Sequence, residues 1–160
     1  MGQSGGMWSE VEELSEEYCF SGTFEHTLDG KGRLTIPSSF RSDFEGGAVL
    51  RKGADRSVEI LPRSAWSLFL KKMKKISKTD LRGQRWVTLQ LASAVTLDLD
   101  KSGRVLLSQD LRSHAELEVG QVVITGALDR LKVWLPKRWA ELESAGIEEL
   151  DDYVYEKYQI

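Results

Sequence analysis

Apolar and polar residues alternate along residues 23–28: Phe24, His26 and Leu28 share one face of an expected strand, with Thr23, Glu25 and Thr27 on the other. The alternation returns 71 residues later, with Val95, Leu97 and Leu99 set against Thr96, Asp98 and Asp100. Each strand runs into the same turn. Residues 29–41 read DGKGRLTIPSSFR and residues 100–112 read DKSGRVLLSQDLR, a shared frame of Asp-x-x-Gly-Arg, an apolar run, then an apolar residue before Arg. Gly32 and Gly103 fall where a short hairpin loop needs positive φ, and Asp29 and Asp100 can accept backbone N–H bonds at the turn. Leu34 with Ile36, and Val105 with Leu107, then return as second strands.

The echo continues with a small gap. Pro37 ends the first return strand and starts a short helix through Phe40 and Arg41. A second hairpin is expected from 48–50 to 58–60, matched by 122–124 and 131–133, with Gly-Ala-Asp-Arg at 53–56 answered by Gly-Ala-Leu-Asp-Arg at 126–130. After Pro62, the spacing of Trp66, Phe69, Leu70 and Met73, extended by Ile76, predicts an amphipathic helix whose outer face carries Lys71, Lys72, Lys74, Lys75 and Lys78. Its twin follows Pro136 through Trp139 and Leu142 towards a Gly146 cap. A last helix would align Ile147, Leu150, Val154 and Tyr158, and a short acidic one would span Glu10–Glu17. The unit is β-β-α-β-β-α, read twice: a mainly β chain with flanking helices (α+β). Each unit is too small to hold a large core alone, so the two are expected to interlock as one body.

Charge changes the picture more than composition does. The net charge of −3 hides five acids and no Lys or Arg in residues 1–18, and seven acids with one Lys in residues 141–160. With those tails of −5 and −6 set aside, residues 19–140 stand at +8. A basic body suits a polyanionic partner. The single cysteine, Cys19, precludes an internal disulfide, no apolar run is long enough for a membrane span, and residues 1–18 lack the basic and apolar regions of a secretory signal. A cytoplasmic protein is expected.

The candidate chemistry is recognition rather than catalysis. A hairpin turn accounts for Asp and Gly in both motifs, but no turn geometry requires Arg after the Gly. Arg offers a planar donor fork that fits phosphate and the O6/N7 edge of guanine. Arg33 and Arg104 at the tips of twinned hairpins, with Lys31 and Lys101 beside them, form a candidate reading head. Arg41 and Arg112 repeat as well, and serve either as cations at helix ends or as phosphate contacts. The lysine run at 71–78 reads as a solvated helix face, His26 as a hydrogen-bonded core residue, and the tryptophans mostly as core. His114 has no partner at metal-ligand spacing, and no phosphate-binding or dinucleotide loop occurs. Neither an enzyme, nor a metal, nor a cofactor is expected.

The paired motifs, Asp29-Gly-Lys-Gly-Arg33 with its Leu-Thr-Ile-Pro37 and Asp100-Lys-Ser-Gly-Arg104, resemble those of the MraZ family, a tandem version of the AbrB-like swapped-hairpin fold. The likeness spans about residues 20–143, including the segment 85–94 before the second motif. It departs at Leu107-Ser108, where the family often has Ile-Pro, and at Ser93, where Gly is usual. The resemblance implies a double-split β-barrel with an acidic extension (1–19), a first repeat (20–84), a second repeat (85–143) and a second acidic extension (144–160). It implies a nucleoid-associated bacterial transcriptional regulator that binds repeated promoter boxes of the division and cell-wall gene cluster as a ring-shaped homo-oligomer. Arg33 and Arg104 would contact DNA with Lys31 and Lys101 assisting, and Asp29, Gly32, Asp100 and Gly103 would shape the loops. The competing expectation is an AbrB-fold, antitoxin-like interaction module whose acidic tail occupies a protein partner.

Overall fold

A computed structural model of the chain describes residues 18–160; the acidic helix expected at Glu10–Glu17 lies outside the described residues. The first repeat contributes β1 (Thr23–Leu28), β2 (Arg33–Thr35), a 3-10 helix (Ser38–Phe44), β3 (Ala48–Lys52), β4 (Val58–Pro62) and α1 (Arg63–Met73). The second contributes α2 (Leu81–Ala92), β5 (Val95–Leu97), β6 (Arg104–Leu106), α3 (Gln109–His114), β7 (Gly120–Gly126), β8 (Leu131–Trp134), α4 (Pro136–Ser144) and α5 (Glu148–Tyr158). The expected doubled unit is present, and the fold is mostly β with flanking helices.

The eight strands form one sheet in the order β5-β3-β4-β8-β7-β1-β2-β6. Its two end strands are joined by the second hairpin loop, where Asp100 N donates to Arg104 O at 3.0 Å, so the sheet curls into a nearly closed barrel. The repeats exchange strands. β1 of the first pairs with β7 of the second (Phe24 opposite Ile124), and β5 of the second pairs with β3 of the first (Val95 opposite Leu50). Two further seams join like to like: β2 with β6, centred on Leu34 opposite Val105, and β4 with β8, centred on Glu59 opposite Lys132.

The alternation in β1 is explained by this closure. Leu28 is buried and Phe24 and His26 are half-buried against the barrel interior, whereas Thr23, Glu25 and Thr27 are exposed. Leu28, Leu34, Ile36, Leu50, Val105, Leu107, Ile124 and Val133 fill one core drawn from both repeats. Phe44, at the end of the 3-10 helix, stacks on Phe20 at 5.7 Å. A second, smaller cluster lies on the sheet's outer surface, where Val49 of β3 meets Trp66 and Met73 of α1.

The structure differs from the sequence reading in α1 and α2. α1 ends at Met73, so Lys74, Lys75 and Lys78 lie beyond it and Ile76 sits in the following turn. Seven residues after α1 ends comes α2, a helix the sequence reading did not include. Its start carries a local signal, since the Asp80 carboxylate accepts from Gly83 N at 3.0 Å. Trp86 in α2 is exposed rather than core, touching Phe69 edge-on at 6.2 Å. The C-terminal helix forms as α5, but none of its residues is buried. In the second repeat Ser108 replaces the proline of the first, and its hydroxyl caps α3 by accepting from Leu111 N at 3.3 Å.

Strand exchange has a testable consequence. A fragment of residues 18–84 lacks β5 and β7, the partners of β3 and β1, and should show no cooperative thermal transition by circular dichroism. The full chain should unfold in one transition, with Leu34→Ala lowering stability by about 2–5 kcal/mol because the side chain lies in the shared core. A cooperative transition in the isolated fragment would show that the repeats fold independently.

Candidate nucleic-acid interface

Both hairpin loops have the same construction. Asp29 N donates to Arg33 O and Gly32 N to Asp29 O, each at 3.0 Å; Asp100, Arg104 and Gly103 repeat this at 3.0 and 2.9 Å. Gly32 and Gly103 adopt φ of +79° and +76°, as a three-residue loop ending in a left-handed residue requires. The aspartates do more than turn the chain. Oδ1 of Asp29 accepts from Lys31 N and Arg33 N, both at 2.9 Å, and Oδ2 accepts from Arg33 Nε at 2.8 Å. Asp100 repeats the set with Ser102 N, Arg104 N and Arg104 Nε at 2.9, 2.9 and 2.8 Å. Backbone donation from Arg33, helped by its guanidinium and by Lys31 N, outweighs desolvation and holds the Asp29 carboxyl at a pKa of about 2. Asp100 is lowered for the same reason, the Arg104 N–H first.

The two arginines belong to one surface rather than to two hairpin tips. In the β2–β6 ladder Arg33 lies opposite Leu106 and Thr35 opposite Arg104, while Leu34 and Val105 between them are buried. Arg33, Thr35, Arg104 and Leu106 therefore share the outward face of a ribbon built from one strand of each repeat. Arg33 and Arg104 are diagonal neighbours, about 7–8 Å apart at the backbone. Both border a shallow hollow of about 390 Å³ that also touches Leu97, Asp98 and Ser108. Each ion pair engages Nε, and the Nη groups carry no hydrogen bond to another described residue. The aspartate thus aims the guanidinium while leaving its outer edge for an incoming acceptor. Thr35 and Leu106 were absent from the sequence reading, although their two-residue spacing from Arg33 and Arg104 marks them as sharing that face. Lys31 and Lys101 stand exposed on the loops beside it.

Arg41 and Arg112 are placed by the other repeat's loop. A Cβ on Gly103 would lie 2.6 Å from Arg41 Nε, and one on Gly32 would lie 3.2 Å from Arg112 Cζ. Arg41 Nε also donates to Ile36 O at 3.0 Å. The backbone makes the same exchange: Ile36 N donates to Gly103 O at 2.9 Å and Leu107 N to Gly32 O at 2.8 Å. Each loop is consequently clamped by its counterpart's following segment. His26 lies near this cluster, its pKa lowered by burial and then by the Arg41 charge. His114 is remote, its Nε2 2.8 Å from Gly53 O. Among the described residues no group of His, Cys, Asp and Glu is arranged to hold a metal, and no helix is long and apolar enough to cross a membrane.

The profile of a single family, described as "MraZ protein, putative antitoxin-like", matches residues 19–85 and again 91–152. The chain belongs to the MraZ family. It is 37% identical over 133 residues to the transcriptional regulator MraZ of Pediococcus pentosaceus, covering 83% of this chain and 92% of that one. The MraZ regulator of Thermomicrobium roseum is 35% identical over 121 residues, 76% and 84% of the two chains. That of Carboxydothermus hydrogenoformans is 35% identical over 120 residues, 75% and 83%. MraZ relatives are thus named for transcriptional regulation rather than for catalysis, and the match takes in both copies of the Asp-x-x-Gly-Arg loop.

Two measurements probe the loops. A carboxyl carbon titration by NMR should place Asp29 near pH 2, below the ordinary 3.8. The carboxylate's contribution to folding is then complete above about pH 4 and disappears only as pH falls towards 2, because the lowered pKa belongs to the folded state. A midpoint at or above 3.8 would mean that the loop bonds do not hold in solution. Separately, Gly103→Ala should destabilise the fold by about 1–2 kcal/mol from its positive φ alone. It should also displace Arg41, seen as a shift of its guanidinium resonances.

Proposed function

We propose that this MraZ protein is a sequence-specific, DNA-binding transcriptional regulator that reads duplex DNA with the β2–β6 ribbon. One observation carries the reading: two arginines from different repeats share one exposed ribbon face, each oriented by its own aspartate. A two-stranded ribbon fits the major groove, and a guanidinium presented edge-on can pair with guanine O6 and N7. Lys31 and Lys101 neutralise phosphates on either side and supply affinity without sequence information. Arg41 and Arg112 hold the loops in register and add charge behind them.

One ribbon makes few contacts, so the reading includes assembly. A ring-shaped homo-oligomer would present several ribbons to repeated promoter boxes and gain effective concentration from each engagement. The resemblance of the motifs supports boxes upstream of the division and cell-wall gene cluster, and with them a cytoplasmic, nucleoid-associated protein. No cofactor enters this scheme. The second reading, an antitoxin-like module that binds a protein through its acidic tail, draws on the wording of the family's description. Binding to duplex DNA separates the two.

In fluorescence anisotropy with a promoter duplex, Arg33→Ala and Arg104→Ala should each cost about 1–3 kcal/mol, roughly 5- to 150-fold in affinity, and relax base preference. Lys31→Ala and Lys101→Ala should weaken all duplexes alike and reduce the salt slope by about one each. Wild-type affinity and base preference in the double arginine variant would place the reading head elsewhere.

A further inference from the structure

The two repeats finish their helical layers differently. In the first, α1 packs on β3 and β4, and α2, the opening helix of the second, folds back over it so that Val87 joins Phe69 and Leu70 beside the buried Trp66 and Met73. In the second, α4 packs on β7, but α5 has no buried residue and only Val154 is half-buried. Ile147, Leu150, Val154 and Tyr158 nonetheless recur at three- and four-residue intervals along one stripe of α5. Leu150 is 60% exposed and Ile147 64%. An amphipathic helix owes most of its stability to burying such a stripe, and α5 has only 11 residues. Among the described residues Val154 is half-buried, and Ile147, Leu150 and Tyr158 are left uncovered.

A groove of matching character lies elsewhere on the same chain. Between α1 and α2 runs a depression of about 460 Å³ floored by Leu70, Met73, Ile76, Val87 and Leu91. Its rim is cationic: Lys74 and Lys78 line it, and Lys71 and Lys72 stand exposed at the end of α1. The polar side of α5 carries Glu148, Glu149, Asp151, Asp152 and Glu156 against the single Lys157. At 1.5 Å per residue α5 is about 16 Å long and α2 about 18 Å, so helix and groove agree in length as well as charge. Stripe and groove are both open in one chain, so a chain's own α5 does not fill its own groove.

We propose that α5 of one copy docks, apolar stripe down, into the α1–α2 groove of the next copy. Each chain then gives one helix and receives one, a head-to-tail contact that closes into a ring when the rotation between copies allows. The proposal rests on the homo-oligomer reading above and names the surfaces that build it. It also gives the acids that flank the stripe, Glu148 and Asp151, a role away from the DNA-reading ribbon: they face lysines of a neighbour.

The test uses the full chain. Light scattering across a concentration series should give an oligomer for the wild type. Leu150→Asp, at an exposed position, should weaken self-association by at least tenfold with circular dichroism unchanged. Lys74→Glu with Lys78→Glu should do the same, as should Glu148→Lys with Asp151→Lys, and mixing these two charge-reversed chains should restore a complex. In a Cys19→Ser background, Leu150→Cys with Leu91→Cys should oxidise to cross-linked dimers and higher species. An oligomer indifferent to all these changes would overturn the docking while leaving assembly intact. A cross-linked monomer would overturn it in favour of closure within one chain. A wild type that stays monomeric, yet binds promoter duplex through Arg33 and Arg104, would remove both docking and assembly without touching the DNA-reading proposal.

Discussion

The arginine face of this molecule depends on the pairing of β2 with β6. These strands are three residues each and come from different repeats. Leu34 and Val105 are driven into the barrel, and the intervening positions are forced to the surface by the strand's two-residue period. That single register brings Arg33 and Arg104 onto one ribbon. It also extends beyond the strands, because Ile36 and Leu107 donate to the loop glycines of the opposite repeat. A one-residue slip would bury the arginines and expose the leucine and valine. The outward arginine face and the core are therefore specified by the same hydrogen bonds.

The second like-to-like seam, β4 with β8, uses arginine to a different end. Glu59 accepts from Arg51 Nη1 at 2.9 Å and from Arg130 Nη1 at 2.8 Å, with Arg51 and Glu59 both buried. Arg51 also bonds Gln90 of α2 and lies 4.8 Å from the Phe69 ring centre, tying the helical layer to the sheet. Lys132 reaches across to Asp55 at 2.7 Å. Charges removed from water in this way require fixed partners, and the network holds each of them in place. At the β2–β6 seam each arginine has a single aspartate four residues away and remains about one-third exposed. The first arrangement is structural; the second leaves donors for a ligand.

The helices follow the same division between closed and open. Trp66 and Met73 fasten α1 to Val49 on the outside of β3, and the Gln84 amide donates to Ile76 O at 3.2 Å, fixing the turn that brings α2 back over α1. No equivalent return follows α4. The barrel is consequently finished as a body while its helical layer is finished on one side only, and the charge pattern of the chain changes sign between the two ends of that layer: lysines at 71–78, carboxylates at 148–156.

The amino-acid sequence by itself determined the doubled unit, the β1 alternation, both hairpin loops and the arginine that follows each loop glycine. These are local matters: a two-residue period, a loop needing positive φ, and an aspartate two to four residues from the donors it accepts. It did not reveal α2, whose start is marked by Asp80 but whose apolar residues are divided between a groove and solvent, nor the end of α1 at Met73 inside a continuing apolar stripe. The tertiary structure alone decided which strands pair. Sequence placed Arg33 and Arg104 on two separate hairpins; the pairing of β2 with β6 made them neighbours on one ribbon, and Arg41 and Arg112 came to lie against each other's loops. Pairing partners 70 or more residues apart are chosen by closure of the barrel around a common core, a condition no local pattern contains.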